Sequence, residues 1–337
     1  MRILFLRFSS IGDILLTTPI VRSVAKQLPG AELHYFTKPA FAPLVAHNPH
    51  LMQVHRLEEP LAQQLKTLRA LDFDFIVDLH KNLRSYRIRW ALGAVPGSTF
   101  RKLNFRKWLL TQLKIDQMPN LHIVERYAEA IAPLGVALDE EGLELHLPPE
   151  CHQRATDVLS AEGLGRGSNE FIVLALGARH FTKQYPEELS IRLLKALGKP
   201  VVLLGGPDDH PKGATIAREL PGHLTCSNLA GELSLLESAA VLAQAQYVLT
   251  PDTGLMHIAA AFNKRVYSIW GNTVPALGMY PYRTDFVAFE ASGLPCRPCH
   301  KLGHPACPKG HFKCMRLQEP EAMAAAITYR EKQLATQ

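Results

Sequence analysis

Short apolar runs alternate with amphipathic stretches along the first half of this 337-residue chain. The opening run, MRILFLRF, is rich in strand-forming residues, and apolar positions then recur at helical spacing as far as the helix-breaking pair Pro29-Gly30. The two patterns follow one another again up to about residue 79, which predicts βαβ units and a parallel sheet. Strands are predicted at residues 1–8, 32–37, 54–57 and 75–79, and helices at residues 14–28, 39–46, 60–71 and 123–134.

The alternation restarts after a polar, Gly-rich segment at residues 163–169, which we interpret as an interdomain linker. A chain of this length can form two domains that each bury a core. We therefore expect an α/β protein with two Rossmann-like domains, residues 1–165 and 166–318, whose parallel sheets face a central cleft. Residues 319–337 are expected to form a helix that packs back on the first domain. The second set of strands is predicted at residues 171–176, 200–204, 247–249 and 266–270, with helices at residues 186–197, 212–220 and 235–245.

Each strand of the second half is followed by a polar or Gly-rich loop. Ligands of open α/β sheets bind beyond the carboxyl ends of the strands, so these loops should line one site. The most informative loop is Asp252-Thr253-Gly254, which lies between an apolar strand and an Ala-rich helix. Unpaired N–H groups and the helix dipole make such a helix N-terminus suited to an anion such as phosphate. The alternative is that Asp252 or Thr253 only caps the helix.

Three further residues of the second half are candidates for contact with the same ligand. Lys183 follows a buried strand on the ligand side, where its ammonium could bind phosphate, although a loop lysine is usually only solvated. Asp209, after Gly205-Gly206-Pro207, could accept a hydrogen bond from a ribose hydroxyl or could simply stabilise a turn. His257 lies one helical turn beyond Thr253 and could touch the ligand, with a buried core histidine as the alternative.

The loop after the first strand carries a candidate general base. Asp13 follows Gly12 between the first strand and the first helix, and Gly12 would let a second molecule approach the backbone closely. A carboxylate here could deprotonate an acceptor hydroxyl, but the helix dipole also favours an acid in the first turn without any function. The same dipole lowers the pKa of the carboxylate, so deprotonation would need help from the geometry or from a departing phosphate.

The composition is typical of a soluble globular protein, with 47% apolar and 20% charged residues. No stretch approaches the roughly eighteen apolar residues that a membrane span requires. The N-terminal run is followed by Asp13, contains Arg7 and lacks a small-residue cleavage site, so it does not resemble a signal peptide. We therefore expect a cytoplasmic location.

The net charge of +6 indicates an anionic partner. Between residues 81 and 107 there are eight Lys or Arg and no Asp or Glu, whereas a solvated helix face usually mixes both signs. We interpret this basic segment as an anion-binding surface, with Lys81, Arg84 and Arg87 as candidate contacts. Nucleic acid, a membrane surface and a phosphorylated substrate would all be suitable anions.

Four of the six cysteines fall close together near the end of the chain, at Cys296, Cys299, Cys307 and Cys314. A reducing cytoplasm argues against disulfides. Four thiolates could hold a structural zinc ion, but the second pair lacks the short spacing of a zinc ribbon. The alternative is a Pro-rich loop whose thiols are buried or sensitive to oxidation.

Several of these segments together resemble one family, the family 9 glycosyltransferases, which are the ADP-heptose:lipopolysaccharide heptosyltransferases. The resemblance runs from residue 1 to about residue 320. It is specific because the Gly-Asp near residue 13 occurs together with an Asp-Thr-Gly that is followed closely by a His and an Ala run. The similar segments are RILFLRFSSIGDILLTTPIVRSV, KQYPEELS, GGPDD and PDTGLMHIAAAFNKRVYSIWGNTVP.

The resemblance implies a GT-B fold, with the acceptor on the first domain and the nucleotide-sugar donor on the second. It implies an inverting transfer of a heptose, or a similar sugar, from an ADP-sugar to an anionic lipopolysaccharide core at the inner face of the inner membrane, with no cofactor required. Asp13 would be the catalytic base. The donor-binding residues would be Gly177, Ala178, Lys183, Asp209, Leu233, Asp252, Thr253, Gly254 and His257, and the acceptor-binding residues Gly12, Lys81, Arg84 and Arg87.

A second hypothesis rests on the residues alone. It is a non-catalytic protein that binds nucleic acid or another anion through the basic segment and a zinc-bound Cys cluster. Aromatic side chains in the region could stack on bases, but no recognition motif surrounds them. Under the first hypothesis no nucleic acid is expected as a partner. The aromatic residues are Tyr86, Trp90, Phe100, Phe105 and Trp108.

Overall fold

The computed structural model describes residues 1–165 and 170–336. Parallel strands alternate with helices through most of this chain, as predicted. The strands are β1 (Arg2–Leu6), β2 (Glu32–Thr37), β3 (Gln53–Arg56), β4 (Phe75–Asp78), β5 (Gly97–Thr99), β6 (Ile172–Ala175), β7 (Val201–Leu204), β8 (Cys226–Asn228), β9 (Val248–Pro251), β10 (Val266–Trp270) and β11 (Phe286–Glu290). The α-helices are α1 (Ile11–Leu15), α2 (Thr18–Gln27), α3 (Pro43–Ala46), α4 (Leu61–Arg69), α5 (Leu83–Ala91), α6 (Asn104–Trp108), α7 (Ile123–Tyr127), α8 (Pro149–Ala161), α9 (Glu187–Leu197), α10 (His210–Glu219), α11 (Leu235–Gln244), α12 (Gly254–Ala261), α13 (Lys313–Arg316) and α14 (Pro320–Ala335), with a π-helix (Leu109–Leu113) continuing α6.

The chain divides into two compact units whose boundary differs from the expected one. The first unit contains residues 1–103 and 120–148, and the second contains residues 104–119 and those from 149 onward. Helix α8 was expected in the first domain but belongs to the second unit, because it packs against α11. The predicted linker follows this helix, and residues 166–169 of it lie outside the described residues.

The terminal helix α14 belongs to the second unit, whereas the sequence analysis expected it on the first domain. It packs along α9, and Met323 and Ile327 join the hydrophobic core of the second unit. On another side of the helix, Glu331 accepts a hydrogen bond from Tyr267 OH at 2.6 Å and pairs with Arg265 at 2.5 Å. Apolar and ionic contacts together therefore fix α14 to the second unit.

The first sheet is parallel, with the strand order β3-β2-β1-β4-β5. Its central strand β1 is fully buried from Ile3 to Leu6, which explains the uninterrupted apolar run in the sequence. The chain proceeds outward from β1 to β3 and then returns to place β4 on the other side of β1. The loops after β1 and β4 therefore lie side by side at a topological switch point, where open α/β sheets bind ligands.

The second sheet is also parallel, with the strand order β11-β10-β9-β6-β7-β8. From β6, the strands β7 and β8 are added toward one edge of the sheet. The strands β9, β10 and β11 lie on the other side of β6 and are added toward the opposite edge. The switch point of this sheet therefore lies between the loops after β6 and β9. Those loops carry Lys183 and Asp252-Thr253-Gly254, so the strand order brings predicted site residues together.

The longer helices are amphipathic and bury one face. Helix α9, for example, buries Leu189, Leu193 and Leu194, which recur about once per turn, and exposes charged residues between them. Among the residues that the structure describes, no helix combines the length and the apolar character that crossing a membrane would require.

Candidate active site

The switch point of the second sheet holds an ion pair between residues that are far apart in the sequence. Lys183 ends the turn after β6, and its Nζ lies 2.6 Å from Oδ2 of Asp252, which follows β9. Both side chains are largely buried, with 17% and 12% exposed. Oγ1 of Thr273, after β10, donates to the same carboxylate oxygen at 2.7 Å. Two predicted site residues are therefore in contact, and Thr273, which the sequence analysis did not single out, joins them.

Helix α12 begins at Gly254, directly after this ion pair. Thr253 is its N-cap, and Oγ1 of Thr253 accepts a hydrogen bond from Leu255 N at 3.1 Å. The capping interpretation therefore applies to Thr253, whereas Asp252 binds Lys183. His257 is only 3% exposed, which is typical of a core histidine. The helix N-terminus and the Lys183 ammonium lie on the same edge of the sheet, and both favour an anion there.

Asp209 lies at the carboxyl ends of β6 and β7, in space that two glycines leave open. A Cβ at Gly177 or Gly205 would collide with the Asp209 carboxylate, so both positions require the absence of a side chain. Oδ2 of Asp209 accepts a hydrogen bond from Gly206 N at 2.8 Å, which is the turn-stabilising contact offered above as the alternative. A carboxylate has two acceptor oxygens, so this contact leaves Oδ1 for a ligand hydroxyl.

The remaining donor-side candidates lie on neighbouring loops. The Ala178 carbonyl accepts a hydrogen bond from Nε2 of Gln184 at 2.9 Å, which fixes the backbone of the loop after β6. Leu233 is half-buried in the loop between β8 and α11. In the same loop, Gly231 packs so closely that an added Cβ would lie 2.7 Å from Cα of Pro207. The loops that carry the donor-side candidates therefore form one continuous edge.

The Cys-rich segment, residues 296–314, gives no support to the zinc alternative for Cys296, Cys299, Cys307 and Cys314. In the part of the chain that the structure describes, no group of three or more His, Cys, Asp or Glu side chains is arranged to hold a metal ion. Cys314 instead joins the hydrophobic core of the second unit, and Cys307 packs against that core. There a thiol behaves as a small apolar group. The hypothesis of a zinc-dependent nucleic-acid-binding protein therefore gains no support.

The Cys-rich segment supports two loops of the candidate site. The guanidinium of Arg297 donates to the carbonyls of Gly271 at 2.6 Å and Thr273 at 3.0 Å, and its side chain is only 7% exposed. The backbone of Thr182 donates to His304 O at 3.2 Å, and His304 N donates back to Oγ1 of Thr182 at 2.8 Å. The segment thus fixes the backbone on both sides of the ion pair. The cysteine spacing gave no sign of this role.

The switch point of the first sheet holds a second ion pair. Nη2 of Arg7 lies 2.5 Å from Oδ1 of Asp13, and the two side chains are 9% and 23% exposed. Nη1 of Arg7 also donates to Leu79 O at 2.5 Å and to the hydroxyl of Tyr127 at 3.0 Å. Oδ2 of Asp13 accepts from N and Oγ of Ser10 at 3.1 and 2.9 Å. These contacts fix the Asp13 carboxylate in one orientation while part of it stays open to solvent.

Opposing effects determine the pKa of Asp13. Burial raises it, but the charge of Arg7 and the hydrogen bonds from Ser10 lower it by more, so the pKa lies below that of an ordinary aspartate. The carboxylate is therefore ionised at neutral pH, as a general base must be. The position of Asp13 beside a helix N-terminus alone predicts a lowered pKa, and the contacts with Arg7 and Ser10 lower this pKa in the structure.

His80 lies at the same switch point and was not singled out in the sequence. It follows β4, and its ring packs against Phe8 with 4.9 Å between the centroids. Burial and the nearby charges of Arg7 and Lys102 lower its pKa to about 4, so the ring is neutral at neutral pH. Its position just after a buried strand was the signal that could have identified it.

The acceptor-side candidates lie around this edge of the first sheet. Gly12 is buried in α1, directly before the candidate base. Nζ of Lys81 donates to Phe100 O at 2.9 Å, so this ammonium holds the loop after β5. Arg84 and Arg87 lie exposed on α5. The basic segment is divided between the two units, because its last two cations lie on α6.

Two doubly wound α/β units with polar side chains at both switch points are the architecture of the GT-B class of glycosyltransferases. The sequence profile of glycosyltransferase family 9 (heptosyltransferase) matches residues 61–308 of this chain. The chain belongs to this family and is a glycosyltransferase.

Similar proteins agree with this assignment. Lipopolysaccharide heptosyltransferase 1 of Pseudomonas aeruginosa is 27% identical over 327 residues, which cover 89% of this chain and 86% of the relative. The structure of Escherichia coli ADP-heptose LPS heptosyltransferase II matches with a TM-score of 0.70 at 20% identity and covers 97% of this chain and 100% of that one. Escherichia coli heptosyltransferase WaaC with ADP matches with a TM-score of 0.68 at 21% identity, covering 98% and 99%. These structural matches establish the shared fold.

Proposed function

We propose that this chain transfers a heptose from an ADP-heptose donor to a lipopolysaccharide core acceptor. Membership in the heptosyltransferase family supports the reaction class. The names of similar proteins, lipopolysaccharide heptosyltransferase among them, and the ADP bound to one structural neighbour support the substrate classes. The single observation that carries the proposal is the Lys183–Asp252 ion pair beside the N-terminus of α12, at the switch point of the second sheet.

On the donor side, Lys183 and the α12 N-terminus bind the diphosphate of the ADP-sugar. An ammonium and a helix N-terminus both stabilise negative charge, and this charge grows on the β-phosphate as the bond to the sugar breaks. Asp252 and Thr253-Gly254 hold the ammonium and the turn in place, and Asp209 accepts a hydrogen bond from the ribose. Ala178, Gly177 and Leu233 shape the nucleotide site, and His257 supports it from within the helix.

On the acceptor side, Asp13 is the general base of an inverting displacement. An acceptor hydroxyl attacks the anomeric carbon, its proton passes to Asp13, and ADP departs with the electrons of the broken carbon–oxygen bond. A carboxylate with a lowered pKa is a weak base. The proton therefore moves late, when the bond to ADP is already largely broken and the hydroxyl has become acidic. Gly12 allows close approach of the acceptor, and Lys81, Arg84 and Arg87 attract its anionic groups. The transfer as proposed requires no metal ion.

The location follows from the acceptor in the same proposal. A lipopolysaccharide core is linked to lipid, so the enzyme acts as a cytoplasmic protein that associates peripherally with the inner face of the inner membrane. The partners are then the ADP-sugar, the anionic core and the membrane surface. Nucleic acid has no part in it.

The decisive experiment incubates the purified protein with ADP-heptose and truncated lipopolysaccharide cores. We expect ADP release together with an acceptor whose mass has increased by one heptose residue, and inversion at the anomeric carbon by NMR. An unchanged acceptor in the presence of intact protein, or transfer only from a different nucleotide-sugar, would refute the proposed substrates.

The Arg7–Asp13 pair predicts a specific pH dependence. The reaction needs ionised Asp13, so kcat/KM is full above the pKa of Asp13 and is lost as the pH falls through it. Replacing Arg7→Gln removes the positive charge that lowers this pKa, so the acid limb of the profile should move to higher pH. The variant Arg7→Lys keeps the positive charge but lacks the planar guanidinium. The acid limb of its pH profile should therefore stay near that of the wild type. A folded Arg7→Gln enzyme with an unshifted limb would contradict the assignment of Asp13 as base.

A further inference from the structure

Helix α5 exposes a face that combines large apolar side chains with cations. Its nine residues bury Ser85 and Ile88 on one side. On the opposite side, Leu83 is 69% exposed, Tyr86 47% and Trp90 86%. Spacings of three and four residues place these three side chains on one helical stripe. Exposed apolar side chains that lie together, rather than scattered singly, are typical of an interaction surface.

Cations predominate beside this stripe, although Glu59 lines the same surface depression as Arg84. Arg84 and Arg87 flank the three apolar side chains on the exposed side of α5. Among the described residues, neither arginine forms an ion pair with an acid. The sequence from Lys81 to Lys107 contains no Asp or Glu at all. The surface is therefore complementary to a partner with dense negative charge.

The exposure of large apolar side chains is concentrated in this part of the chain. Of the fourteen large apolar side chains that are exposed among the described residues, eight lie between residues 83 and 121. Two of the three tryptophans, Trp90 and Trp108, are among them, whereas the third, Trp270, is 1% exposed. On α6, Phe105 and Trp108 stack at 6.1 Å beside basic neighbours, so the same chemistry recurs on a second helix.

We propose that the exposed face of α5, formed by Leu83, Tyr86, Arg87 and Trp90, docks on the surface of an anionic lipid bilayer. Trp and Tyr side chains prefer the boundary between headgroups and acyl chains, and the arginines bind lipid phosphates. A short helix of this composition lies in the plane of the interface and does not span it. A soluble protein partner or a free oligosaccharide would not require the combination of a protruding apolar stripe and uncompensated cations.

This inference deepens the proposed function by naming the surface that brings the enzyme to a lipid-linked acceptor. Binding to a bilayer can nevertheless be tested without any acceptor. The probes are vesicles of phosphatidylcholine alone and vesicles of phosphatidylcholine with phosphatidylglycerol, assayed by co-sedimentation with the purified chain. Intrinsic fluorescence gives a second readout, because Trp90 should shift to shorter wavelength and be quenched by brominated lipids on docking, while the buried Trp270 should not respond.

The wild-type chain should bind the anionic vesicles, and binding should weaken as salt is added and be much weaker on neutral vesicles. The double variant Leu83→Ser, Trp90→Ser should lower the affinity for anionic vesicles by at least about tenfold, since it removes two interfacial anchors. Tyr329→Ser is the matched control, because Tyr329 is 66% exposed on α14 outside the stripe, and its affinity should equal that of the wild type.

Absence of wild-type binding to anionic vesicles, or equal binding by the double variant, would overturn the docking surface. Equal binding to neutral vesicles would overturn the role of charge. Loss of self-association in the double variant by sedimentation velocity would instead identify a second copy of the chain as the occupant, and would also overturn the proposal. The double variant should keep its transfer rate on a water-soluble truncated acceptor within about twofold. Failure of transfer by the wild type would refute the proposed function and leave vesicle binding standing.

Discussion

The variant Asp13→Asn is expected to lose turnover by about 10²–10⁴-fold while its affinity for ADP stays unchanged. The amide has nearly the same shape as the carboxylate but accepts no proton, so the acceptor hydroxyl loses its base. ADP affinity should persist because the proposed donor contacts lie on the second unit. The measurements are kcat with saturating ADP-heptose and truncated core, and calorimetry with ADP.

The control for this substitution is Glu32→Gln. Glu32 forms an ion pair of the same length with Arg2, at 2.5 Å, but at the amino edge of the same sheet. The Glu32→Gln enzyme should remain fully active. The Asp13→Asn protein should also be less stable, because the largely buried Arg7 loses its counter-ion, and thermal unfolding will show this separately. A folded Asp13→Asn enzyme with wild-type turnover would remove Asp13 from the mechanism.

The variant Lys183→Met should weaken ADP binding by about 10- to 100-fold. A loss of this size is typical when one hydrogen bond between a cation and a phosphate is removed. The methionine keeps the aliphatic stem and removes the ammonium. It also leaves Asp252, which is 12% exposed, without its cation, so the remaining carboxylate repels the diphosphate. Calorimetry with ADP measures the loss, and turnover should fall as well because the leaving group loses its stabilising charge.

Lys199→Met provides the comparison for this effect. Lys199 precedes β7 at the amino edge of the second sheet, where its Nζ donates to Gln246 at 2.8 Å. Its removal changes the net charge by the same amount without touching the switch point, so ADP affinity should not change. If the two variants bind ADP equally well, Lys183 is not the phosphate contact.

Much of the candidate site could be predicted because its residues lie in short local patterns. Asp252-Thr253-Gly254 follows an apolar strand and opens an Ala-rich helix, and this pattern alone located it at the carboxyl edge of a sheet. The same holds for Asp13 after β1 and for Lys183 after β6. The location of each of these residues is determined by neighbours within about ten residues. The periodicity of apolar positions over such a window predicts the strand and the helix on either side of the loop.

Other features could not be predicted because they join residues that are distant in the sequence. Lys183 pairs with Asp252, and Arg7 reaches the carbonyl of Leu79 and the hydroxyl of Tyr127. No local pattern indicates such contacts. The cysteines are a further example, since their spacing left both a zinc site and buried thiols open, and only the packing of Cys314 in the hydrophobic core favours buried thiols.

The sequence by itself determined that the chain is an α/β protein with two parallel sheets, and it determined which loops carry the polar residues. Both follow from the alternation of buried strands and amphipathic helices, which is written into neighbouring positions. Only the tertiary structure decided the order of the strands, and with it the two switch points at which Arg7 meets Asp13 and Lys183 meets Asp252. Strand order depends on how crossover helices pack over a whole sheet, and the free energy of that packing is distributed over residues that no short sequence pattern connects.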